Sequence, residues 1–337
     1  MKQRSWRELD ESDVRVRPGR RGSRPRTKRR PEHADAAAAL VIGVDRGRYT
    51  CALDGDPHRR VTAMRARELG RKSVVIGDEV SLVGDVSGEP DALARIVRIS
   101  ARRSVLRRTA DDTDPFERVV VANAEQLVIV TSLADPPPRP GFIDRCLVAA
   151  YAGGLRPLLC LTKSDLAGAD DLLELYANLD LPVVVTRFDS EPDALRARLD
   201  GRVSALVGHS GVGKSTLVNK LVPEADRATG AVSAIGKGRH TSTSAVALPL
   251  PGGGWVVDTP GIRSFGLAHV TPDDVLAAFP DLAEGVEDCP PHCGHLGAPE
   301  DPDCGLDEWV AEGHGTPRRL ASLRRLLHSR TGREDQD

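Results

Sequence analysis

The sequence predicts a multidomain fold with an N-terminal β-barrel, a central α/β domain and a C-terminal α-helical module that contains a Cys/His cluster. Three observations lead to this prediction. Short β-like runs fill residues 38 to about 103, strand-like and helix-like segments alternate from about residue 116, and three cysteines gather near the C-terminus. A chain of 337 residues is long enough for such independent cores. The expected boundaries are 1–37 for a disordered basic arm, 38–113 for the barrel, 114–267 for the α/β domain and 268–337 for the helical module.

The arm is expected to be disordered because it lacks apolar periodicity and is dense in arginine and lysine. The formal net charge of the whole chain is only −2, so the balancing acids lie further along. Such asymmetry favours a polyanionic partner, and a merely solvated tail is the alternative. The arm has no apolar run typical of a signal peptide, and no stretch approaches the roughly 20 apolar residues that span a bilayer. We therefore expect a cytoplasmic protein without membrane contact.

Five β-like runs between Gly, Asp and Pro turns predict the barrel. They are AALVIGV, RYTCALD, RRVTAMRA, SVVIGDEVSLVG and ALARIVRIS. We expect an OB-fold, a small barrel that binds oligonucleotides, although an SH3-like barrel would give nearly the same pattern. A series of arginines begins in the last of these runs and continues after it. This basic stripe is interpreted either as an RNA contact or as a charged linker. Its members are Arg95, Arg98, Arg102, Arg103, Arg107 and Arg108.

Apolar runs that end in turn residues predict a mostly parallel sheet covered by helices in the next part of the chain. The runs are EQLVIVTSL, RPLLCLTKSD, LPVVVTR, RVSALVGHSG and GWVVDTPG, and the helix-like segments between them include GFIDRCLVAAYAGG and DDLLELYANL. Ligands of such sheets bind at the carboxyl ends of the strands. After about Leu267 the sequence predicts short helices around the Cys/His cluster and a final basic amphipathic run, PRRLASLRRLLHSR.

A phosphate-binding loop is predicted at 208–216, where GHSGVGKST fits G-x-x-x-x-G-K-[ST] directly after a strand-like run. Its glycines let successive N–H groups turn toward phosphates, and the next helix presents its positive N-terminus. Lys214 is expected to reach the β- and γ-phosphates in catalysis, and the Ser215 hydroxyl to ligate magnesium. The loop alone does not separate GTP from ATP. Its expected nucleotide-binding residues are Gly208, His209, Ser210, Gly211, Val212, Gly213, Lys214, Ser215 and Thr216.

A base-reading motif is predicted at Thr162, Lys163, Ser164 and Asp165, which follow the apolar run LLCL. The carboxylate of Asp165 can accept hydrogen bonds from guanine N1–H and from the exocyclic N2 amine. Adenine offers neither donor, so such a site discriminates by roughly 10⁴-fold. The stem of Lys163 is expected to lie along the base plane. A lone TKxD is a common surface turn, but together with a phosphate loop on a parallel sheet it indicates a GTP site.

Two further segments are predicted to sense the γ-phosphate. In the segment DTPG, Asp258 is expected to hold magnesium through water, and the Gly261 N–H to bond the γ-phosphate. The segment GKGRHTSTSA is rich in Gly, Ser and Thr, and one hydroxyl among Thr241, Ser242 and Thr243 is expected to complete the magnesium shell; we choose Thr241. A flexible linker is the alternative for this segment.

The residue after DTPG is Ile262, where a water-orienting glutamine would be expected. An aliphatic side chain cannot orient water, so unaided turnover is expected to be slow. His240 is our first choice for the catalytic residue, and His209 is the second.

A zinc site is predicted near the C-terminus. Three thiols and one imidazole suit a closed tetrahedral site, with His292 as a competing fourth ligand and three reduced thiols around a loop as the alternative. One zinc ion in a short helical module would contribute folding energy and need not be catalytic. The expected ligands are Cys289, Cys293, His295 and Cys304.

The order of the motifs indicates a circularly permuted GTPase domain, because TKSD precedes the phosphate loop, which precedes the switch segment and DTPG. Further segments are RRSVLRR, VANAEQLVIV, FIDRCLVA, GRHTST and DTPGIRSFGL. With these and the terminal Cys/His cluster, the chain resembles the bacterial ribosome small-subunit-dependent GTPase A (RsgA) family from about Ala38 to Arg330.

The resemblance implies an OB-fold, a permuted P-loop GTPase domain and an α-helical zinc-binding domain that engage the 30S subunit late in its assembly. It implies GTP or GDP, Mg²⁺ and one Zn²⁺ as cofactors, the 30S subunit and 16S rRNA as partners, and strong stimulation of GTP hydrolysis by the ribosome. We expect a monomer. The family usually has Ser-Ala or a similar small pair near guanine O6, whereas Thr186 and Arg187 follow LPVVV here; a backbone N–H could serve equally.

Three alternatives stay open at this point. One is a nucleotide-regulated RNA-binding module with negligible hydrolysis, which Ile262 would permit. Another is a P-loop ATPase or kinase. The last is a permuted GTPase that serves the large ribosomal subunit, although the barrel and the terminal cluster argue against it.

Overall fold

The structure is a computed structural model that describes residues 33–45, 47–69, 73–108, 118–223, 245–259, 267 and 270–330. The chain divides into two units, Met1–Ala34 and Asp35–Asp337, and all elements named below lie in the second. Most of the predicted basic arm lies outside the described residues. So do several predicted switch and catalytic residues, which are His240, Thr241, Ser242, Thr243, Gly261 and Ile262.

The first five strands form the predicted barrel. They are β1 (Ala37–Asp45), β2 (Arg48–Leu53), β3 (Asp56–Arg65), β4 (Glu79–Gly84) and β5 (Ala94–Ile99), and a 3₁₀ turn follows β3 at Arg67–Leu69. Neighbouring strands pair in the order β1-β2-β3-β5-β4, and β4 pairs back onto β1 to close the ring. Alternate side chains point inward, as the two-residue period of a strand requires, so Val41, Val61 and Ile96 are fully buried. The OB-like prediction is confirmed.

The α/β domain is built on a parallel sheet, as predicted. Its strands are β8 (Gln126–Ser132), β9 (Arg156–Thr162), β10 (Val183–Val185), β11 (Val203–Val207) and β13 (Trp255–Asp258), and they pair in the order β10-β9-β8-β11-β13. Every residue of β8 is buried, which is typical of a central strand covered on both faces. Because the strands are parallel, the carboxyl ends of β9, β11 and β13 meet at one edge of the sheet.

Three short strands were not predicted. Strand β12 (Val246–Pro249) runs antiparallel to β13 and also pairs with β1 at Gly43, so the barrel and the α/β sheet are hydrogen-bonded into one eleven-stranded sheet. Strands β6 (Val105–Arg108) and β7 (Arg118–Ala122) form a separate antiparallel pair. These segments are four or five residues long, and the prediction did not separate them from the sequence around them.

Helices cover the sheet and form the C-terminal module. They are α1 (Pro140–Ala152), α2 (Asp170–Tyr176), α3 (Asp193–Leu199), α4 (Lys214–Leu221), α5 (Pro272–Leu276), α6 (Pro280–Ala283), α7 (Gly305–Ala311) and α8 (Pro317–Arg330), with a 3₁₀ helix at Glu284–Asp288. Helix α1 is buried continuously from Phe142 to Ala150 because it packs between the sheet and α8. In the described part of the chain, no helix is both long and apolar enough to span a membrane.

The basic stripe divides into two kinds of residue. Arg102 makes two hydrogen bonds, of 2.7 and 2.9 Å, to the fully buried carboxylate of Asp78, so it holds the barrel together. Arg103 pairs with Glu79 at 2.6 Å. By contrast, Arg95 and Arg98 lie exposed on β5. Arg103 is exposed as well, although it is paired, so Arg95, Arg98 and Arg103 all retain the exposure that an RNA contact requires.

Candidate nucleotide-binding and metal sites

The phosphate loop connects β11 to α4 at the edge of the sheet where the parallel strands end. Gly211 and Gly213 have φ values of +83° and +92°, which favour glycine over any residue with a side chain. A Cβ atom on Gly208 would lie 2.5 Å from the carbonyl oxygen of Val130 in the neighbouring strand β8. The loop therefore needs these glycines for its turn and for its close approach to the sheet, and α4 begins directly at Lys214.

Lys214 and Asp258 are brought together from two different motifs. The Nζ atom of Lys214 donates hydrogen bonds to Oδ1 of Asp258 at 2.8 Å and to the carbonyl of Thr259 at 3.0 Å. Both side chains are largely buried, so the ammonium is held at the end of β13. Phosphate oxygens would compete with this carboxylate for Lys214, and Asp258 and Ser215 supply the oxygen ligands that magnesium prefers.

Thr162 links the TKSD motif to the phosphate loop. Its buried hydroxyl donates a hydrogen bond of 2.6 Å to the carbonyl of Val212. The next residue, Lys163, has φ +59° and donates through Nζ to the carbonyl of Asp135 in the loop after β8. Ser164 donates through its hydroxyl to the carbonyl of Thr186 at 3.2 Å. The motif is thus fixed to the strands on both sides and to the phosphate loop.

Thr186 and Arg187, the pair that the sequence places near guanine O6, directly follow β10. Thr186 is buried and bonds the carbonyl of Leu161 through both its N–H and its hydroxyl, at 2.7 and 3.2 Å. Arg187 pairs with Asp189 at 3.1 Å. The amide that contacts the Asp165 carboxylate belongs to the next residue, Phe188, at 3.3 Å. Sequence reasoning missed Phe188, and the only signal for it was its place just after LPVVVTR.

His209, the second choice for a catalytic residue, packs against α1. Its ring centroid lies 4.1 Å from that of Phe142. Together with Arg139, Pro136 and Ser210 it lines a cavity of about 250 Å³ beside the phosphate loop. This packing holds the imidazole against α1, and His240 as the first and His209 as the second choice for the catalytic residue stay predictions.

The predicted zinc ligands converge in the loop between the 3₁₀ helix and α7. Their four ligand atoms, from Cys289, Cys293, His295 and Cys304, all lie within 4.8 Å of one another. The Nδ1 atom of His295 is 3.5 Å from Sγ of Cys289 and 4.0 Å from Sγ of Cys304. Zn–N and Zn–S bonds of about 2.0–2.3 Å place tetrahedral ligand atoms at similar separations.

The competing ligand His292 is exposed and does not belong to this cluster. The donor set therefore favours His295 as the fourth ligand, and its chemistry fits one zinc ion. The cluster is tied to α8 through Arg324, which donates to the His295 carbonyl at 3.4 Å and makes two hydrogen bonds to Asp307 in α7 at 2.8 and 2.7 Å.

Comparison with known proteins gives consistent results. The family model described as RsgA GTPase matches residues 99–268, half of the chain. A protein of Pseudomonas aeruginosa named small ribosomal subunit biogenesis GTPase RsgA is 40% identical over 267 residues, which cover 76% of each chain. A protein of the same name from Azotobacter vinelandii is 44% identical over 244 residues, or 69% of each chain. The chain belongs to the RsgA GTPase family.

Two solved structures share the fold of this RsgA family member. The crystal structure of YjeQ from Thermotoga maritima aligns with a TM-score of 0.64 and 25% identity, covering 88% of this chain and 99% of that one. YloQ, described as a circularly permuted GTPase, aligns with a TM-score of 0.62 and 22% identity, covering 92% and 100%. The permuted order of motifs on the sheet, with TKSD after β9 and the phosphate loop after β11, agrees with this fold.

Proposed function

We propose that this RsgA-family GTPase acts in late maturation of the 30S ribosomal subunit, where it binds 16S rRNA and hydrolyses GTP to GDP and phosphate with stimulation by the subunit. The single observation that best supports a nucleotide site is the hydrogen bond from the Thr162 hydroxyl to the Val212 carbonyl. It joins the TKSD motif to the phosphate loop. The names of these relatives support the ribosomal role, and they argue against a factor of the large subunit.

The nucleotide is assigned to the TKSD motif and the phosphate loop, with Gly261 for the γ-phosphate. Lys214 would offset negative charge on the β- and γ-phosphates. Ser215 and Asp258 would hold Mg²⁺ together with Thr241, and when bound the ion neutralises charge that develops on the phosphate oxygens. His240 is proposed to position the attacking water, because Ile262 cannot.

The proposed partners are the 30S subunit and its 16S rRNA, and the proposed state is a cytoplasmic monomer. Exposed arginines on the barrel, such as Arg95 and Arg98, would contribute salt-sensitive contacts with phosphates. We propose one zinc ion at the Cys₃His cluster as a stabilising element of the C-terminal domain. The boundaries 1–37, 38–113, 114–267 and 268–337 are proposed as the division into arm, OB-fold, GTPase and zinc domain.

Multiple-turnover phosphate release with and without purified 30S subunits tests the proposal, with 50S subunits as the control. We expect slow turnover alone and marked stimulation by 30S only. His240→Ala is expected to lose on the order of 10²-fold or more of the stimulated rate, as removal of a group that positions or deprotonates water does, whereas His209→Ala retains most of it. If 30S subunits give no stimulation, the chain is instead a nucleotide-regulated RNA-binding module.

A further inference from the structure

Phe188 is the most exposed large apolar side chain in the described part of the chain. Its relative exposure is 71%, compared with 61% for Leu166 and 45% for Val185. It lies directly at the proposed base-reading carboxylate, because its backbone N–H donates a hydrogen bond of 3.3 Å to Oδ1 of Asp165. An uncovered phenyl ring therefore stands at the rim of the proposed guanine site.

The backbone around Phe188 is fixed even though its ring is exposed. Nζ of Lys220 donates hydrogen bonds to the carbonyls of Phe188 and Ser190. The same Nζ lies 5.7 Å from the centroid of the phenyl ring, within the range of a cation–π contact. Lys220 belongs to the last turn of α4, the helix whose first residue is Lys214 of the phosphate loop. One helix thus sets the position of Phe188 relative to both halves of the nucleotide site.

We propose that the ring of Phe188 is a stacking platform for the guanine base. This inference rests on the proposed function and adds a face contact to the edge contact of Asp165. Leaving a phenyl ring in water gives up the free energy that its burial would contribute, and a flat heteroaromatic base is a suitable cover. Stacking is independent of the base edge, so the ring contributes affinity while Asp165 contributes selection.

Hydrogen bonding at the rim is compatible with entry of guanine. In the present structure the Phe188 amide and the Asp165 carboxylate satisfy each other. Guanine N1–H and the N2 amine would replace the amide as donors to Asp165, and the released Phe188 N–H would face the acceptor O6. Binding of guanine would thus give the Asp165 carboxylate and the Phe188 N–H new partners in place of each other, so neither group is left unpaired.

The contact would be made to the base and not to the phosphates. Substitution of Phe188 is therefore expected to weaken GDP and GTP by the same factor, so that the loss shows as a higher GTP concentration for half-maximal hydrolysis. This pattern separates a base platform from a residue that senses the γ-phosphate or positions water.

Calorimetric titration of the full chain with GDP tests the platform. Phe188→Ala is expected to weaken GDP by about 5- to 150-fold, the usual effect of removing one base–aromatic stack, whereas Phe188→Tyr stays within about threefold. Phe188→Leu is expected to fall in between, because it keeps apolar area but loses the π face. The matched control is Leu93→Ala, which removes an exposed apolar side chain (38%) from the barrel and leaves GDP affinity unchanged.

A second readout is the fluorescence of Phe188→Trp. We expect GDP to quench the introduced indole well beyond any change in the wild-type protein, whose three tryptophans give the background. Equal GDP affinity of Phe188→Ala and wild type would overturn the platform, as would equal affinity of Phe188→Leu and wild type. Loss of 30S stimulation with unchanged GDP affinity would also overturn it, because a macromolecular partner would then be the cover. Asp165→Ala distinguishes failure of the stacking platform from failure of the guanine site. If wild type and Asp165→Ala bind GDP equally, the proposed nucleotide site itself is wrong.

Discussion

Arg325 of α8 donates a hydrogen bond of 2.9 Å from Nε to Oδ2 of Asp144 in α1. The carboxylate is 4% exposed, and its other oxygen accepts a bond of 3.0 Å from the Tyr176 hydroxyl. The guanidinium also lies 5.0 Å from the centre of the Tyr176 ring. This small network joins the last helix of the C-terminal module to the first helix of the GTPase domain, so the two domains are connected by a buried charge.

Arg325→Met is expected to lower the free energy of unfolding by about 1.5–3 kcal/mol, the usual effect of losing a hydrogen bond to a charged group. Burial raises the pKa of Asp144, and the Arg325 charge opposes that rise. Because the pKa of Asp144 is higher in the folded than in the unfolded chain, ionisation of this carboxyl costs stability as pH rises through that range. Removing Arg325 increases that cost, so the difference from wild type is expected to be largest at neutral pH and to shrink toward acidic pH.

Urea unfolding of both proteins at a series of pH values measures this difference. Arg318→Met serves as the control, since it is an exposed arginine on the same helix. A stability difference that stays constant from neutral to acidic pH would show that the charge on Asp144 is not what Arg325 stabilises.

Asp165→Asn is expected to change base preference. The side-chain oxygen of the introduced asparagine can still accept a hydrogen bond from guanine N1–H. Its NH₂ group, however, would face the N2 amine of guanine, and both of these groups are donors. Xanthine has an oxygen at that position, so the variant is expected to favour xanthine nucleotides and to lose roughly 10²- to 10⁴-fold in affinity for GDP. Competitive binding of GDP and xanthosine diphosphate measures the change.

Asp189→Asn is the matched control, because it removes an equal charge from the neighbouring loop, where Asp189 pairs with Arg187. It is expected to keep the preference for guanine. If Asp165→Asn leaves nucleotide preference unchanged, the assignment as a guanine site is wrong and an ATPase or kinase becomes the better interpretation.

Which parts of this site could be predicted depends on how locally they are encoded. Thr162 and Lys214 each end or follow an apolar run, and parallel strands bring such ends to one edge, so their convergence was predictable. Phe188 was not, because its contact with Asp165 depends on how the chain turns after β10. The pair of Asp144 and Arg325 joins residues 181 positions apart, and no local pattern marks either as a partner.

The same distinction holds in the barrel and the metal cluster. Alternating runs predicted the five barrel strands, but the buried position of Asp78 that engages Arg102 follows only from closure of the ring. The spacing of the cysteines predicted a zinc site, yet the choice between His292 and His295 needed their exposure, since they lie one and two positions from Cys293.

Zinc content provides a further test. We expect the purified protein to contain about one zinc ion per chain. His295→Ala is expected to lose most of that zinc and to unfold at lower temperature, because structural zinc contributes directly to folding. Elemental analysis and thermal unfolding, each with and without a chelator, measure the two effects.

His292→Ala is the control for the metal site, since this histidine is exposed and lies one position from Cys293. Its zinc content and unfolding temperature are expected to match the wild type. Zinc loss in His292→Ala with full retention in His295→Ala would reverse the assignment of the fourth ligand.

Thr162→Val tests the connection between the base-reading and phosphate-binding motifs. The change removes the hydroxyl that donates to the Val212 carbonyl and leaves that buried acceptor without its donor. Such a loss costs about 1 kcal/mol or somewhat more, and here the cost falls on the phosphate loop itself. We expect GDP and GTP to dissociate about 5- to 10-fold faster, while Thr162→Ser, which keeps the hydroxyl, behaves like wild type. Stopped-flow displacement of a fluorescent GDP analogue measures the dissociation rate.

Thr186→Val provides the matched control for this test. Thr186 is similarly buried, and its hydroxyl also donates to a backbone carbonyl, that of Leu161, but the bond joins β10 to β9 and does not involve the phosphate loop. Thr186→Val is expected to lose less stability, because the Thr186 N–H still donates to that carbonyl at 2.7 Å, and only Thr162→Val is expected to release nucleotide faster. Equal dissociation rates in the two variants would mean that the Thr162 hydroxyl stabilises the sheet in general and does not couple the two motifs.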